Sequence, residues 1–201
     1  MDVVIIGAGT TAQLAVSILA DDRNLRVVGC VDVAWPDEQK MVLDIPIIGD
    51  HSVLKELLGK GIRSALVAVA ENRIREQHFY AAQTIGFEMV NAVHASAIIG
   101  KSVRLGIGVC IGEGSVVSTG SIIGDNVVVE AGATIGSHVD IGSNVYIGNG
   151  TVIGNAAVIG RNCFLDVSVS VARKVNVGKN HVFEPGVNVN EDVADIAVAG
   201  E

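Results

Sequence analysis

From Ile99 to Val189 a hydrophobic residue recurs at every sixth position, sixteen times without a break; Ile111, Val117, Ile123, Val129, Ile135, Ile141 and Ile147 are consecutive members. Ten of the sixteen are followed directly by Gly, as in Ile141-Gly142 and Ile147-Gly148. The residue two places earlier is usually small or aliphatic (Ala97, Val103, Val109, Ser115, Ala133, Val139, Val145). A period of six fits neither a 3.6-residue helix nor a hairpin array, and it is the signature of a parallel β-helix. Three short faces close one triangular coil of about eighteen residues. The hydrophobic residue points inward, and Gly is expected at the corners, where backbone conformations closed to other residues are needed. About five coils at a strand spacing of about 4.8 Å make a prism about 25 Å tall. Flat, evenly studded faces favour packing against copies, and a homotrimer is the natural closed assembly.

Residues 1–93 read differently. Val3–Ile6 is a buried-strand run, followed by Gly7-Ala8-Gly9-Thr10-Thr11-Ala12 and a helix to Ala20. Arg26–Val31 is a second strand ending at Asp32, and Ile47–Gly49 a short one. Ser52–Leu58 reads as a helix with Ser52 near its N-cap. Ser64–Ala70 reads as a strand, Arg73–Ile85 as a helix and Glu88–Asn91 as a last strand. Strands alternating with helices indicate a parallel sheet. The chain therefore reads as an α/β Rossmann-like domain, 1–93, followed by an all-β helical prism, 94–201. The acidic tail from Glu191 leaves the period.

Bulk properties exclude several classes. The net charge of −8 argues against nucleic-acid binding. No apolar run reaches the roughly 20 residues that span a bilayer. Met1–Gly7 lacks the positive start of a signal peptide. Cys30, Cys110 and Cys163 are odd in number and widely spaced, which suggests neither a disulfide framework nor a metal site and fits a reducing cytoplasm.

Gly7-x-Gly9-x-x-Ala12 sits between a strand and a helix, where backbone N–H groups can meet a phosphate. Asp32, ending the second strand, is placed to accept a ribose hydroxyl. The alternative is a tight turn with a solvated Asp. Of the six basic residues in the repeat, Arg161, Arg173, Lys174 and Lys179 follow residue 160. They suit a phosphate-bearing ligand, or simply a solvated face. His138 is the histidine of the central coils and has the chemistry of a general base; a surface corner histidine is the plainer reading. His181 stands where other coils carry Val or Ala and is expected to pack. His94 lies at the join between the halves. His51 and His78 have no constellation around them in the sequence.

Over almost the whole chain, these motifs resemble the sialic acid O-acetyltransferase and nucleotide-amino-sugar N-acetyltransferase family. The resemblance rests on Gly7–Ala12, Val28–Asp32, Ala68-Val69-Ala70-Glu71-Asn72-Arg73-Ile74-Arg75, Val93-His94-Ala95-Ser96-Ala97 and the repeat. It implies left-handed coiling, against the usual crossover rule. It implies a trimer with sites between subunits, acetyl-CoA lying along the later coils, and a nucleotide sugar on the small domain. On this resemblance Gly7, Gly9, Thr10, Asp32, Asn72, Arg75 and Tyr146 are the substrate-binding candidates. Asn155, Arg161, Arg173 and Lys174 are the acetyl-CoA candidates, and no metal is implied. The family's catalytic histidine falls at Ser137, with His138 one place on. A second family histidine falls at Tyr146, and a glycine whose N–H faces the thioester falls at Asn155. The family's Val-Ala-Gly-x-Pro-Ala-Lys ending is cut short at Val198-Ala199-Gly200-Glu201.

Three functions compete at this point. The first is an acetyl-CoA-dependent acetyltransferase acting on an amino or hydroxyl group of a sugar in surface-glycan biosynthesis, with His138 and Ser137 catalytic. The second is a catalytically impaired trimeric scaffold that binds nucleotide. A dinucleotide-dependent redox protein is the third, and its sheet would be only half of what a dinucleotide needs.

Overall fold

The structure is a computed structural model that describes residues 1–22, 24–32 and 41–197; the Val198–Glu201 ending lies outside them. The chain divides into two compact units, one of Met1–Ala92 and one beginning at Val93.

The first unit contains β1 (Asp2–Ile6), α1 (Thr10–Ala20), β2 (Arg26–Val31), β3 (Met41–Val42), β4 (Ile45–Gly49), α2 (Leu54–Gly59), β5 (Ser64–Val67), α3 (Asn72–Ile85) and β6 (Glu88–Met89). The sheet order is β3-β4-β2-β1-β5-β6. All pairs are parallel except β3 with β4, where Met41 faces Pro46. This antiparallel edge was not legible in the sequence. Val4, Ile6, Val31, Ala65 and Val67 of the central strands are buried against Leu54, Phe79 and Phe87.

Local chemistry sets the helix ends. Ser52 is not the cap of its helix: the Asp50 carboxylate accepts the Ser52 N–H at 2.8 Å, and a 3₁₀ turn, His51–Val53, leads into α2. The Glu71 carboxylate accepts the Arg73 N–H at 3.1 Å, and Gly86, at φ 114°, closes α3 in the left-handed region.

From β7 (Ala92–Val93) to β23 (Asn188–Val189) every strand is two residues long, one per hexad. Every third strand shares a sheet, in parallel and in register: Cys110 pairs with Val128, Val128 with Tyr146, and Tyr146 with Phe164. The three sheets enclose the inward residues, and the fold is a left-handed parallel β-helix. Ile111 to Val177 of the hexad series are at most 3% exposed, whereas Ile99 in the first coil is 38% exposed because no coil covers it.

The corner glycines act differently from the sequence expectation. A glycine directly after the inward residue serves close approach, not unusual dihedrals: a Cβ on Gly124 would stand 2.6 Å from the Ser143 nitrogen of the next coil. Positive φ falls two residues further on, at Gly120, Asn126, His138, Asn144, Ala156, Asn162, Lys174 and Asn180 among others. Asn tolerates that region best after Gly, and the asparagines also form a ladder. Asn126 Nδ2 donates to Asn144 Oδ1 at 2.8 Å, and Asn144 Nδ2 to Asn162 Oδ1 at 2.9 Å.

The tail does not leave the prism at once. Val193 bridges Val177, and Asp192 and Asp195 accept the Asn176 and Lys179 N–H groups at 2.8 and 2.9 Å.

Candidate active site

At the carboxyl ends of β1, β2 and β5, a cavity of about 230 Å³ is lined by Ala8, Gly9, Thr10, Thr11, Asp32, Ala68, Val69 and Ala70. Gly7 has φ 124°, and a Cβ there would collide with the Ala68 carbonyl. Gly9 caps α1, and a Cβ on it would meet nothing within 4 Å, so this wall is open to a ligand. The first turn of α1 carries no acidic residue and keeps its positive end. Thr11 is 1% exposed, and its buried Oγ1 has no hydrogen-bond partner among the described residues. The Asp32 N–H donates to the Gly49 carbonyl at 3.1 Å, which ties the ends of β2 and β4 together.

Asn72 and Arg75 meet each other beneath this wall. Arg75 is wholly buried; Nη1 donates to the carbonyls of Val69 (3.0 Å) and Ala70 (2.7 Å), and Nη2 to Asn72 Oδ1 (2.7 Å). Together they hold the segment after β5 that forms one side of the cavity.

His51 and His78 form a constellation that sequence reasoning missed. Their rings lie perpendicular with centroids 4.1 Å apart. Burial pushes the pKa of both below the usual histidine value, and the Asp32 charge acts on both in the opposite sense. No spacing rule joins positions 51 and 78; only the packing of the 3₁₀ turn before α2 against α3 does.

In the second unit, Ser137 and His138 follow β14 (Thr134–Ile135), Asn155 follows β17 (Val152–Ile153), and Arg173 and Lys174 follow β20 (Ser170–Val171). These three strands share a sheet, so the five residues line one edge of the prism. His138 is exposed, at φ 57°, with its ring over Gly120 of the preceding coil: a Cβ on Gly120 would stand 2.6 Å from His138 Nδ1. The Ser137 N–H donates to Asn155 Oδ1 at 2.9 Å. The Asn155 N–H meets no acceptor among the described residues. Arg161 follows β18 (Val158–Ile159), in a different sheet, and stands on another edge.

Tyr146 lies on a third sheet, in β16 (Tyr146–Ile147). Its ring stacks on Phe164 (centroids 4.5 Å apart, planes within 4°), and its hydroxyl donates to Glu130 Oε1 at 3.0 Å. Burial raises the Glu130 carboxyl above the usual carboxylate value; the Tyr146 bond opposes this and the Glu113 charge reinforces it. The sequence signal for Glu130 was its place after Val129, where ten of the sixteen hexads carry Gly.

The remaining candidates are structural. His181 is buried and its Nε2 donates to the Ala194 carbonyl at 2.6 Å. His94 Nδ1 accepts the Ser96 N–H at 3.1 Å. Burial pushes the Cys30 thiol up to about 12 and Cys163 to about 11, which leaves neither a nucleophile. Among the described residues no cluster of three His, Cys, Asp or Glu could hold a metal ion, and no helix is long and apolar enough to cross a membrane.

The model of the PglD N-terminal domain matches residues 2–81, and that of the bacterial transferase hexapeptide (six repeats) matches 120–155. No curated protein matches the chain. Among solved structures, a mutant of perosamine N-acetyltransferase from Caulobacter crescentus, in complex with CoA and GDP-perosamine, is 31% identical; the match covers 97% of this chain and 91% of that one, with a TM-score of 0.92. The chain belongs to the hexapeptide-repeat nucleotide-amino-sugar N-acetyltransferase family. The acetyltransferase domain of PglB from Neisseria gonorrhoeae, in complex with acetyl coenzyme A, is 26% identical over 96% of this chain and 93% of that one, with a TM-score of 0.71. As a member of this N-acetyltransferase family the chain is an acyltransferase, and both the cavity and the prism edge lie on its full-length match.

Proposed function

We propose that this protein transfers acetyl from acetyl-CoA to the amino group of a nucleotide-linked sugar in bacterial surface-glycan biosynthesis. The observation that carries the reading is the end-to-end likeness, at 31% identity, to an N-acetyltransferase crystallised with CoA and GDP-perosamine. Residues 1–93 take the nucleotide sugar and residues 94–201 the acyl donor. Gly7 shapes the turn, while Gly9, Thr10 and the Thr11 hydroxyl present the start of α1 to the diphosphate. Asp32 accepts from the ribose. Asn72 and Arg75 hold the wall of the cavity rather than touching the sugar.

On the prism, the Asn155 N–H supports the thioester oxygen as charge develops on it. Arg173 and Lys174 pair with CoA phosphates. Ser137 and His138 border the amine, and Tyr146 walls the sugar. Arg161, on another edge, reaches the same co-substrate when a second copy lends that edge, as a homotrimer does. The three widely spaced cysteines support a reducing cytoplasm as the compartment of this activity.

The rival reading is a trimeric scaffold that binds nucleotide sugar without transferring acetyl; the exposed, unpartnered ring of His138 favours it. Calorimetric titration with acetyl-CoA and with UDP-, GDP- and dTDP-linked amino sugars separates the two. Binding of both classes with CoA release supports the enzyme. Nucleotide-sugar binding without acetyl-CoA binding supports the scaffold.

A further inference from the structure

We infer that Glu130 is the general base of this acetyltransferase, held in place by Tyr146; the inference rests on the function proposed above. Ser137, whose hydroxyl is too weak a base, and His138, whose exposed ring no second group orients, leave the proton of the attacking amine without a fixed acceptor. Glu130 has the attributes that His138 lacks.

First, its position is fixed. The Glu130 N–H donates to the Ile147 carbonyl at 2.8 Å, and its own carbonyl accepts the Ser115 hydroxyl at 2.9 Å. The side chain is half-buried, and Tyr146, itself clamped on Phe164, anchors Oε1. Second, Oε2 has no hydrogen-bond partner among the described residues and is free to take a proton. Third, Glu130 is the one carboxyl among the described residues whose pKa is driven up, by burial and by Glu113; the other shifted carboxyls (Asp2, Asp50, Glu56, Asp192, Asp195) are driven down. A desolvated carboxylate beside a like charge is the environment that moves an acid toward neutral pH, where a base works best. Fourth, Glu130, Ser137, His138 and Tyr146 all belong to one coil, 130–147. A threefold axis along the prism keeps them level, so Glu130 of one subunit can face the Ser137 edge of the next.

The step balances. The amine lone pair forms a C–N bond to the thioester carbonyl carbon. The nitrogen, now positively charged, gives its proton to Glu130 Oε2. As the tetrahedral carbon collapses, the C–S bond breaks and its electron pair leaves on sulfur. The proton passes from Glu130 to that thiolate, which releases CoA as the thiol and an acetamido sugar.

The test is the pH profile of kcat/KM, read as thiol release from acetyl-CoA with GDP-perosamine or, where that sugar is inert, with the member of the UDP-, GDP- and dTDP-amino-sugar panel that turns over. Glu130→Gln should lose on the order of 10²–10⁴-fold in kcat/KM and its acid limb with it. Tyr146→Phe, by removing the bond that favours the ionised form, should move the acid limb to higher pH. Glu113→Gln, by removing the like charge, should move it to lower pH. His138→Ala should lower the rate yet keep the limb in place. Unchanged melting and nucleotide-sugar binding in Glu130→Gln verify that the variant is folded. Turnover of Glu130→Gln within threefold of wild type, with the limb intact, overturns the assignment, as does a limb that disappears in His138→Ala instead. A wild-type protein that releases no thiol with any sugar overturns the activity itself, which is a separate outcome.

Discussion

Asn155 accepts the Ser137 N–H at 2.9 Å, yet no residue one coil further on accepts the N–H of Asn155. At two other corners a carboxylate of the next coil closes this gap: Asp125 Oδ1 takes the Ile107 N–H at 2.9 Å and Asp195 Oδ1 the Lys179 N–H at 2.9 Å. Beneath Asn155 stands Arg173, which carries donors only. Arg173→Asp should therefore supply the missing acceptor and occupy the donor proposed for the thioester oxygen. Losing one oxyanion donor costs on the order of 10²–10³-fold in kcat. Arg173→Ala, which removes only the cation, should chiefly raise the KM for acetyl-CoA. Equal kcat values for the two variants would show that the Asn155 N–H plays no part.

Thr11 makes the second prediction. Its buried hydroxyl is unsatisfied in the cavity, and an unmet buried group costs about 1–3 kcal/mol. Thr11→Val should leave the melting temperature equal or raise it, while weakening nucleotide-sugar affinity about five- to tenfold. Loss of stability with unchanged affinity would mean that the hydroxyl is satisfied within the fold.

Gly7→Ala should destabilise the first unit. The dihedral alone costs on the order of 1–3 kcal/mol for a residue with a Cβ, and that Cβ meets the Ala68 carbonyl. Gly9→Ala meets no atom and should melt close to wild type while losing nucleotide binding. Thermal unfolding with parallel nucleotide titration separates the two.

The His51–His78 pair makes stability depend on pH. Burial lowers both folded values below 6.5, so between that value and the folded values the unfolded chain binds more protons than the native one. Stability is therefore full above about pH 6.5 and falls as the pH drops. His78→Gln should flatten the melting-temperature profile between roughly pH 7.5 and 5. A wild-type profile already flat over that range would contradict the burial argument.

The hexad from Ile99 to Val189 made the prism legible because one inward residue per face is all that the coil demands, and period six has no competing solution. The strand–turn–helix setting of Gly7–Ala12 was legible because that turn is local. Much of what stayed hidden depends on contacts sixteen residues apart or more. The role of Glu130 needs Tyr146 sixteen positions later, and the His51–His78 pair needs two helices to meet. The resemblance made Arg75 a substrate-binding candidate, and a sequence carries no burial; in the fold Arg75 donates to the Val69 and Ala70 carbonyls. The separation of Arg161 from Arg173 follows from counting hexads, since twelve residues advance the chain by two faces and so to a different edge.

The most direct test of the account is steady-state release of CoA thiol from acetyl-CoA in the presence of GDP-perosamine and related UDP- and dTDP-amino sugars, with the sugar product checked by mass. The account predicts release that depends on both substrates and a product heavier by one acetyl group. Nucleotide-sugar binding with no thiol release from any member of the panel would contradict it.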